Sequence, residues 1–192
     1  MYKRFKRICL TGASGTGKTK LAKHIQEEYG IPFINSSSSV IWPDFGYKTH
    51  EDVIKGVHTH PAIAHQLQQR IYEYRNNIWR LPEMVTDRGP IDQMAYYLNY
   101  FQVYSDEKTK DKFIDQLKVQ LSERFDAVIF LRFNQSNIED NGRRVQDRYF
   151  QMVMDATMNM VISGIDDVKV PMLTIPIWDW DIRVDMVKQF MR

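Results

Sequence analysis

Apolar positions along this chain alternate between short continuous runs and stripes at helical spacing. Ile8-Cys9-Leu10-Thr11 reads as a buried strand. Lys18 to Tyr29 then places Leu21, Ala22 and Ile25 on one face and Lys20, Lys23, Gln26 and Glu27 on the other, which predicts an amphipathic helix. Gly30 supplies its stop signal. Ile31-Pro32-Phe33-Ile34 predicts a second strand, and Asn35 to Thr49 is polar and turn-rich with Trp42, Phe45 and Tyr47 embedded. Pro61 to Leu81 predicts a long helix carrying Ile63, Leu67, Ile71, Tyr74 and Ile78, with Pro61 suited to its first turn.

The alternation continues to the far end. Glu83-Met84-Val85-Thr86 predicts a third strand that ends in Asp87-Arg88-Gly89-Pro90. Pro90 opens a helix to about Phe101, and Ser105 and Asp106 cap another to about Arg124. Ala127 to Phe133 predicts a fourth strand, Arg143 to Ile162 a helix rich in Met and Arg, and Val170 to Ile177 a fifth strand. Asp181 is the expected cap of a final helix. Strands and helices in alternation give an α/β fold of three layers: a five-stranded, mostly parallel sheet with helices on both faces. No repeat, no low-complexity tract beyond Ser36 to Ser39 and no linker interrupts it, so residues 1–192 are expected to form a single domain.

Composition changes this picture little. The hydrophobic fraction of 43% and charged fraction of 26% suit a soluble globular protein. No apolar run approaches the ~18 residues that span a membrane. The basic start, with Lys3, Arg4, Lys6 and Arg7, has no long apolar stretch behind it and is not a secretory signal. It reads either as an arm for nucleic-acid phosphates or as a solvated lead-in to the first strand. A net charge of +2 does not by itself argue for nucleic acid. Cys9, the single cysteine, can form no intramolecular disulfide, so a cytoplasmic setting is the default.

Chemistry enters between the first strand and the first helix. Residues 12 to 19 read G-A-S-G-T-G-K-T, a complete G-x-x-x-x-G-K-[ST] phosphate-binding loop in the required strand–loop–helix context. Gly12, Gly15 and Gly17 free the backbone, so that the amides from Gly12 through Ala13, Ser14, Gly15, Thr16 and Gly17 can turn toward phosphates. Lys18 adds mobile positive charge, the Thr19 hydroxyl suits Mg²⁺, and the helix N-terminus favours the same anion. A nucleoside triphosphate is the expected ligand. Nothing resembles a guanine-reading N-K-x-D element, so ATP is the default donor.

Two further clusters join it. Asp87-Arg88 follows the third strand, at the sheet edge where the phosphate loop also lies. The fourth strand is followed by Arg132 rather than an acid, which makes Asp87 the candidate for Mg²⁺ beside Thr19, with Arg88 placed to stabilise the moving phosphoryl group. Both residues could instead stabilise the turn alone. Arg143, Arg144 and Arg148 lie within six residues, and Arg144 and Arg148 share a helix face. They read as a lid over phosphates or as a solvated face.

The loop at 12–19, V-T-D-R-G-P-I-D-Q-M-A-Y at 85–96 and the Arg-rich segment at 143–148 together resemble the small P-loop nucleoside and nucleotide kinases. The middle motif is similar to D-R-x-x-x-D/S-x-x-A-Y of thymidylate kinases and of the kinase domain acting on nicotinamide riboside. Bacteriophage kinases of 5-hydroxymethyluracil in DNA form a similar group. The resemblance implies a P-loop kinase fold with an Arg-rich lid at about 134–150, and transfer of the γ-phosphoryl of ATP to a hydroxyl. The acceptor would be a free nucleoside or nucleotide, or a modified base in phage DNA, with nicotinamide riboside as an alternative. Carried over by position, Lys18 and the loop amides hold phosphates, and Thr19 and Asp87 hold Mg²⁺. Arg88 contacts the acceptor or the moving phosphoryl, and Arg143, Arg144 or Arg148 form the lid.

One departure stands out. Where many such kinases carry an acid after the second strand, this chain has Asn35-Ser36-Ser37-Ser38-Ser39. Either Asp44 folds back as general base or Asp87 serves twice. Trp42, Phe45 and Tyr47 could stack on a base and Gln66 or Gln69 could read its edge, although core packing explains such aromatics equally well. His58, His60 and His65 lack supporting ligands for a metal site. Two other classes compete with the kinase: a nucleotide-hydrolysing switch, and a nucleic-acid-binding module with a degenerate loop. The missing acid after strand four weighs against the first and the complete loop against the second. The sequence leaves oligomeric state open, a homodimer included.

Overall fold

The computed structural model describes residues 5–134 and 147–192. Five strands form one parallel sheet: β1 (Arg7–Thr11), β2 (Phe33–Ile34), β3 (Met84–Thr86), β4 (Ala127–Leu131) and β5 (Met172–Ile175), in the order β2-β3-β1-β4-β5. Side chains alternate across it with period two. Ile8, Leu10, Val85 and Ile129 face one core with helices α1 (Lys18–Tyr29) and α7 (Trp180–Phe190). Cys9, Met84, Val128 and Phe130 face the other core. That second, larger core is built by α2 (His50–Thr59), α3 (Ala62–Trp79), α4 (Pro90–Tyr96), α5 (Glu107–Arg124) and α6 (Arg148–Ser163). The expected three layers are present. No helix among the described residues is long and apolar enough to cross a membrane.

Several boundaries differ from the sequence expectation, each for a local reason. β2 starts at Phe33 because Pro32 has no N–H to give; its carbonyl still accepts from Val85 N. Pro171 and Pro176 bracket β5, which is shorter than 170–177. β4 ends at Leu131, and Phe133 N donates to Asp155 Oδ1 at 2.8 Å. The final helix is capped by Asp179, whose Oδ1 accepts from Ile182 N at 3.0 Å, and not by Asp181. Helix α2 inside the 35–60 stretch was not expected. Thr49 and Asp52 form a reciprocal capping box at its start, and Val53 and Val57 bury its inner face. Past α4 the chain widens into a π turn at Tyr97–Phe101, with Asn99 Nδ2 donating to Ala95 O. α6 begins at Arg148 on an Asp147 cap; residues 143–146 of the expected helix lie outside the described residues.

Register decides where chemistry falls. Cys9 pairs with Thr86 of β3 and with Val128 of β4, so β1 and β3 end side by side. The chain leaving β1 at Gly12 and the chain leaving β3 at Asp87 therefore emerge together at the carboxyl edge of the sheet.

Candidate active site

The phosphate loop is held by contacts that tolerate little change. A side chain at Gly12 would collide with Leu131 O, and the backbone there has φ +147°. Gly17, at φ +87°, opens α1 and packs under Arg183. Arg183 on α7 is 2% exposed, and its Nη1 donates to Thr16 O at 2.7 Å while its Nε donates to Ile177 O at 2.6 Å. Lys18 Nζ donates to Gly12 O at 2.7 Å and Ala13 O at 2.6 Å, within the loop's own concavity.

The Thr19 hydroxyl donates to Asp87 Oδ2 at 2.7 Å, joining loop and β3 edge as the sequence suggested. Both are hard oxygen ligands, and one carboxylate with a hydroxyl suits Mg²⁺ that takes its remaining ligands from phosphate and water. Ser36 N approaches Asp87 Oδ1 at 3.5 Å. Ser36 Oγ shares a 2.5 Å contact with Thr86 Oγ1 and donates to Arg88 O at 2.9 Å. Ser36, the first of the serine run after β2, is thus a clasp on the β3 edge. Arg88 Nη1 donates to Asp92 Oδ1 at 2.8 Å and to Gly12 O at 3.3 Å. Burial opposes its charge, but Tyr96 and Asp92 beside it hold the guanidinium protonated above its ordinary range.

Beyond Asp87 the site deepens. Arg75, 4% exposed on α3, donates from Nε to Ser36 O at 3.1 Å and from Nη1 to Gln93 Oε1 at 3.5 Å. Burial lowers its pKa to about 10, so it stays a cation at neutral pH. Gln93 Nε2 donates in turn to Gln68 O at 3.1 Å. The phosphate loop, Asp87, Arg88 and Arg75 all line one cavity of about 770 Å³. Its lining also includes Trp42, Tyr96 and Phe150, gathered round His50, and Trp178, which lies under Arg183 near the loop. Among the described lining residues Asp87 is the one carboxylate, against Lys18, Lys20, Lys23, Arg75 and Arg88. Such a charge balance suits a polyphosphate.

Some expected residues are not brought there. Asp44 does not fold back: it is exposed, faces Arg70 at 3.6 Å on the surface and is absent from the cavity wall. Gln66 is exposed and Gln69 donates to Glu73, because the buried stripe of α3 runs through Leu67, Gln68, Ile71, Arg75 and Trp79; Gln68 lines the cavity instead. Of the aromatic trio only Trp42 lines the cavity, while Phe45 and Tyr47 pack on the core. Arg148 is exposed over the Tyr149 ring, and Arg143 and Arg144 lie outside the described residues. Arg7 of the basic start is tied to Asp126 at 2.7 Å. His50, Arg75 and Trp178 were missed. For Arg75 a signal existed: it interrupts an apolar stripe at helical spacing.

Comparison with known proteins adds independent support. A family model described as "AAA domain" matches residues 7–181. No curated protein matches the chain. Among solved structures, deoxyadenosine kinase from M. mycoides with bound dATP is 15% identical over 96% of this chain and 98% of that one, with a TM-score of 0.66. Thymidylate kinase from Candida albicans is 16% identical over 99% and 92%, with a TM-score of 0.55. The NadR protein in complex with NR is 12% identical over 97% of this chain, with a TM-score of 0.66; the chain spans 51% of that protein. What this chain shares with them is the fold, a P-loop kinase α/β architecture.

Proposed function

The chain belongs to the AAA domain family, and on that premise we propose that it is a phosphotransferase, moving the γ-phosphoryl group of ATP to a hydroxyl of a nucleoside or nucleotide. The observation that carries this reading is the single cavity in which the phosphate loop, the Thr19–Asp87 pair and the buried cation Arg75 face one another. A switch needs a phosphate site; it does not need a second pocket beyond it. The structural relatives named for deoxyadenosine and thymidylate kinases favour the same class.

Each residue then has a task. The loop amides and Lys18 bind the polyphosphate. Thr19 and Asp87 would hold Mg²⁺, which when bound neutralises phosphate charge. Arg88, fixed by Asp92, stabilises charge on the transferring group. In this reading Asp87 also takes the acceptor proton; phosphoryl transfer asks mainly for positioning and charge neutralisation, so one carboxylate in both roles suffices. Arg75 offers only donors, which fit a carbonyl edge, and Gln68 offers both a donor and an acceptor. A pocket of this size suits a free small acceptor. The lid charge in this reading comes from Arg143, Arg144 or Arg148.

A bisubstrate analogue, adenosine joined through a polyphosphate to a second nucleoside, tests it by calorimetry. Occupying both halves of the cavity is expected to bind on the order of 100-fold more tightly than ATP. Affinity equal to that of ATP for every second nucleoside would refute the two-sided site.

A further inference from the structure

His50 stands at the start of α2, where the Thr49–Asp52 box fixes the helix end and so the position of the ring. Its imidazole is surrounded by aromatic rings. Phe150 lies at 5.5 Å, Tyr100 at 5.8 Å and Tyr96 at 6.0 Å, all edge-on, and Trp42 lies at 6.1 Å. These come from α6, the π turn, α4 and the stretch before α2, so four segments converge on one side chain. His50 also lines the cavity, within electrostatic reach of Arg88. Among the described residues its contacts are ring contacts, and it makes no hydrogen bond.

The ring is only partly buried and its nitrogens are not shut off, so they are open to a partner in the cavity. Burial and the nearby charge of Arg88 lower its pKa to about 4, so the ring is neutral at physiological pH. A neutral imidazole presents one donor and one acceptor nitrogen and carries no charge to attract an anion such as phosphate. The surrounding rings favour a planar group that can stack or meet them edge-on. We infer that His50 is the specificity-determining residue of the acceptor pocket, hydrogen-bonding through its imidazole to the uncharged polar edge of a planar heteroaromatic ring. This rests on the phosphotransferase reading above and deepens it. It puts the acceptor's ring at the aromatic end of the cavity and its reacting hydroxyl at the Asp87 end. That is the arrangement of a free nucleoside or nucleotide. A modified base within DNA would instead bring its reacting hydroxymethyl group, and the ring carrying it, to Asp87.

Two variants separate the possibilities. His50→Phe keeps the aromatic wall and removes both nitrogens; His50→Asn restores a neutral donor and acceptor. For the acceptor that wild type uses, His50→Phe is expected to raise KM about 3- to 10-fold, the span of one lost hydrogen bond. kcat and the KM for ATP should stay within about twofold, and His50→Asn should recover part of the loss. An unchanged acceptor KM in His50→Phe, or a fall in kcat shared with a rise in ATP KM, would overturn the assignment.

Imidazole ¹⁵N spectra supply a readout that needs no turnover. The His50 signal, assigned in the wild-type protein by through-bond correlation to its own backbone, should shift when free nucleosides saturate the protein. No shift with any nucleoside or nucleotide would also overturn the role, even if variants fail to fold. If wild type transfers phosphate from ATP to no nucleoside or nucleotide yet the His50 signal shifts, the phosphotransferase reading fails and the ring-binding role stands.

Discussion

Replacing Gly89 with alanine should injure the protein through a single contact. Gly89 sits between Arg88 and Pro90, at the point where the β3 edge turns into α4, and its φ of −141° is open to any residue. The cost is therefore packing alone. A methyl group there would overlap Cys9 Sγ and approach Cys9 Cβ at 3.4 Å. Cys9 is fully buried on β1 and its backbone is held between β3 and β4, so its sulfur has only packed space to turn into. Carbon and sulfur attract only at about 3.5–4.0 Å, so strand or turn must shift. Overpacking of this kind costs about 1–3 kcal/mol.

Cys9→Ala removes the obstructing sulfur for about 1 kcal/mol of lost packing. The double variant should then be no less stable than Cys9→Ala by more than ~0.5 kcal/mol, a favourable coupling of about 1–2 kcal/mol. Urea denaturation of the four proteins gives the cycle. Because Arg88 and Asp87 lie one and two residues away, kcat should fall with Gly89→Ala and return in the double variant. Additive effects within ~0.5 kcal/mol would refute the claim that β1 sets the position of the Asp87–Arg88 turn through this contact.

Three further outcomes are expected. Asp87→Asn keeps an oxygen for Thr19 but loses the charge, and should lower kcat by about 10²–10⁴-fold with little change in unfolding midpoint, read by steady-state kinetics beside a denaturant melt. His50 has a folded pKa of about 4 against 6.5 ordinarily, so between these values the unfolded chain binds more protons and stability rises with pH. The rise should be on the order of 3 kcal/mol and absent in His50→Phe, checked by urea melts across that pH range. For Asp126, burial alone would raise the carboxyl pKa, but hydrogen bonds from the Arg7 side chain and the Lys6 and Arg7 amides hold it below 3.8. Asp126→Asn should cost about 1–2 kcal/mol at neutral pH. That deficit should disappear as pH falls through the depressed carboxylate range, since protonated Asp126 loses the same bonds.

How much of this was visible in the sequence follows from the range of the forces involved. The phosphate loop and the Asp87–Arg88 pair were legible because their geometry is set by neighbours in the chain and by the sheet edge. The inner strands β1, β3 and β4 were legible because both of their faces are buried, and the edge strands β2 and β5 because each is a short apolar run next to a proline. Helix phase was not: Gln66 and Gln69 were expected at the pocket, but the core turns Gln68 and Arg75 inward. Thr49-His50-Glu51-Asp52 carried the capping signal for α2, yet a run of polar residues around it hid the short apolar face of Val53 and Val57. The placement of Asp44 depended on tertiary contacts, since it pairs with Arg70 from α3. His50 and Trp178 had no local signature, because a pocket wall is assembled from segments far apart in sequence.

The central claim is that this cavity passes a phosphoryl group from nucleotide to acceptor. Transfer of labelled γ-phosphate from ATP with Mg²⁺ tests it directly, offered to free nucleosides, nucleoside monophosphates, nicotinamide riboside, and DNA with and without 5-hydroxymethyluracil, beside Asp87→Asn. Label on a free nucleoside or nucleotide, lost in the variant, is the expected result. Label on DNA alone would contradict the free-acceptor placement, and ATP hydrolysis with no labelled acceptor at all would contradict the transferase itself.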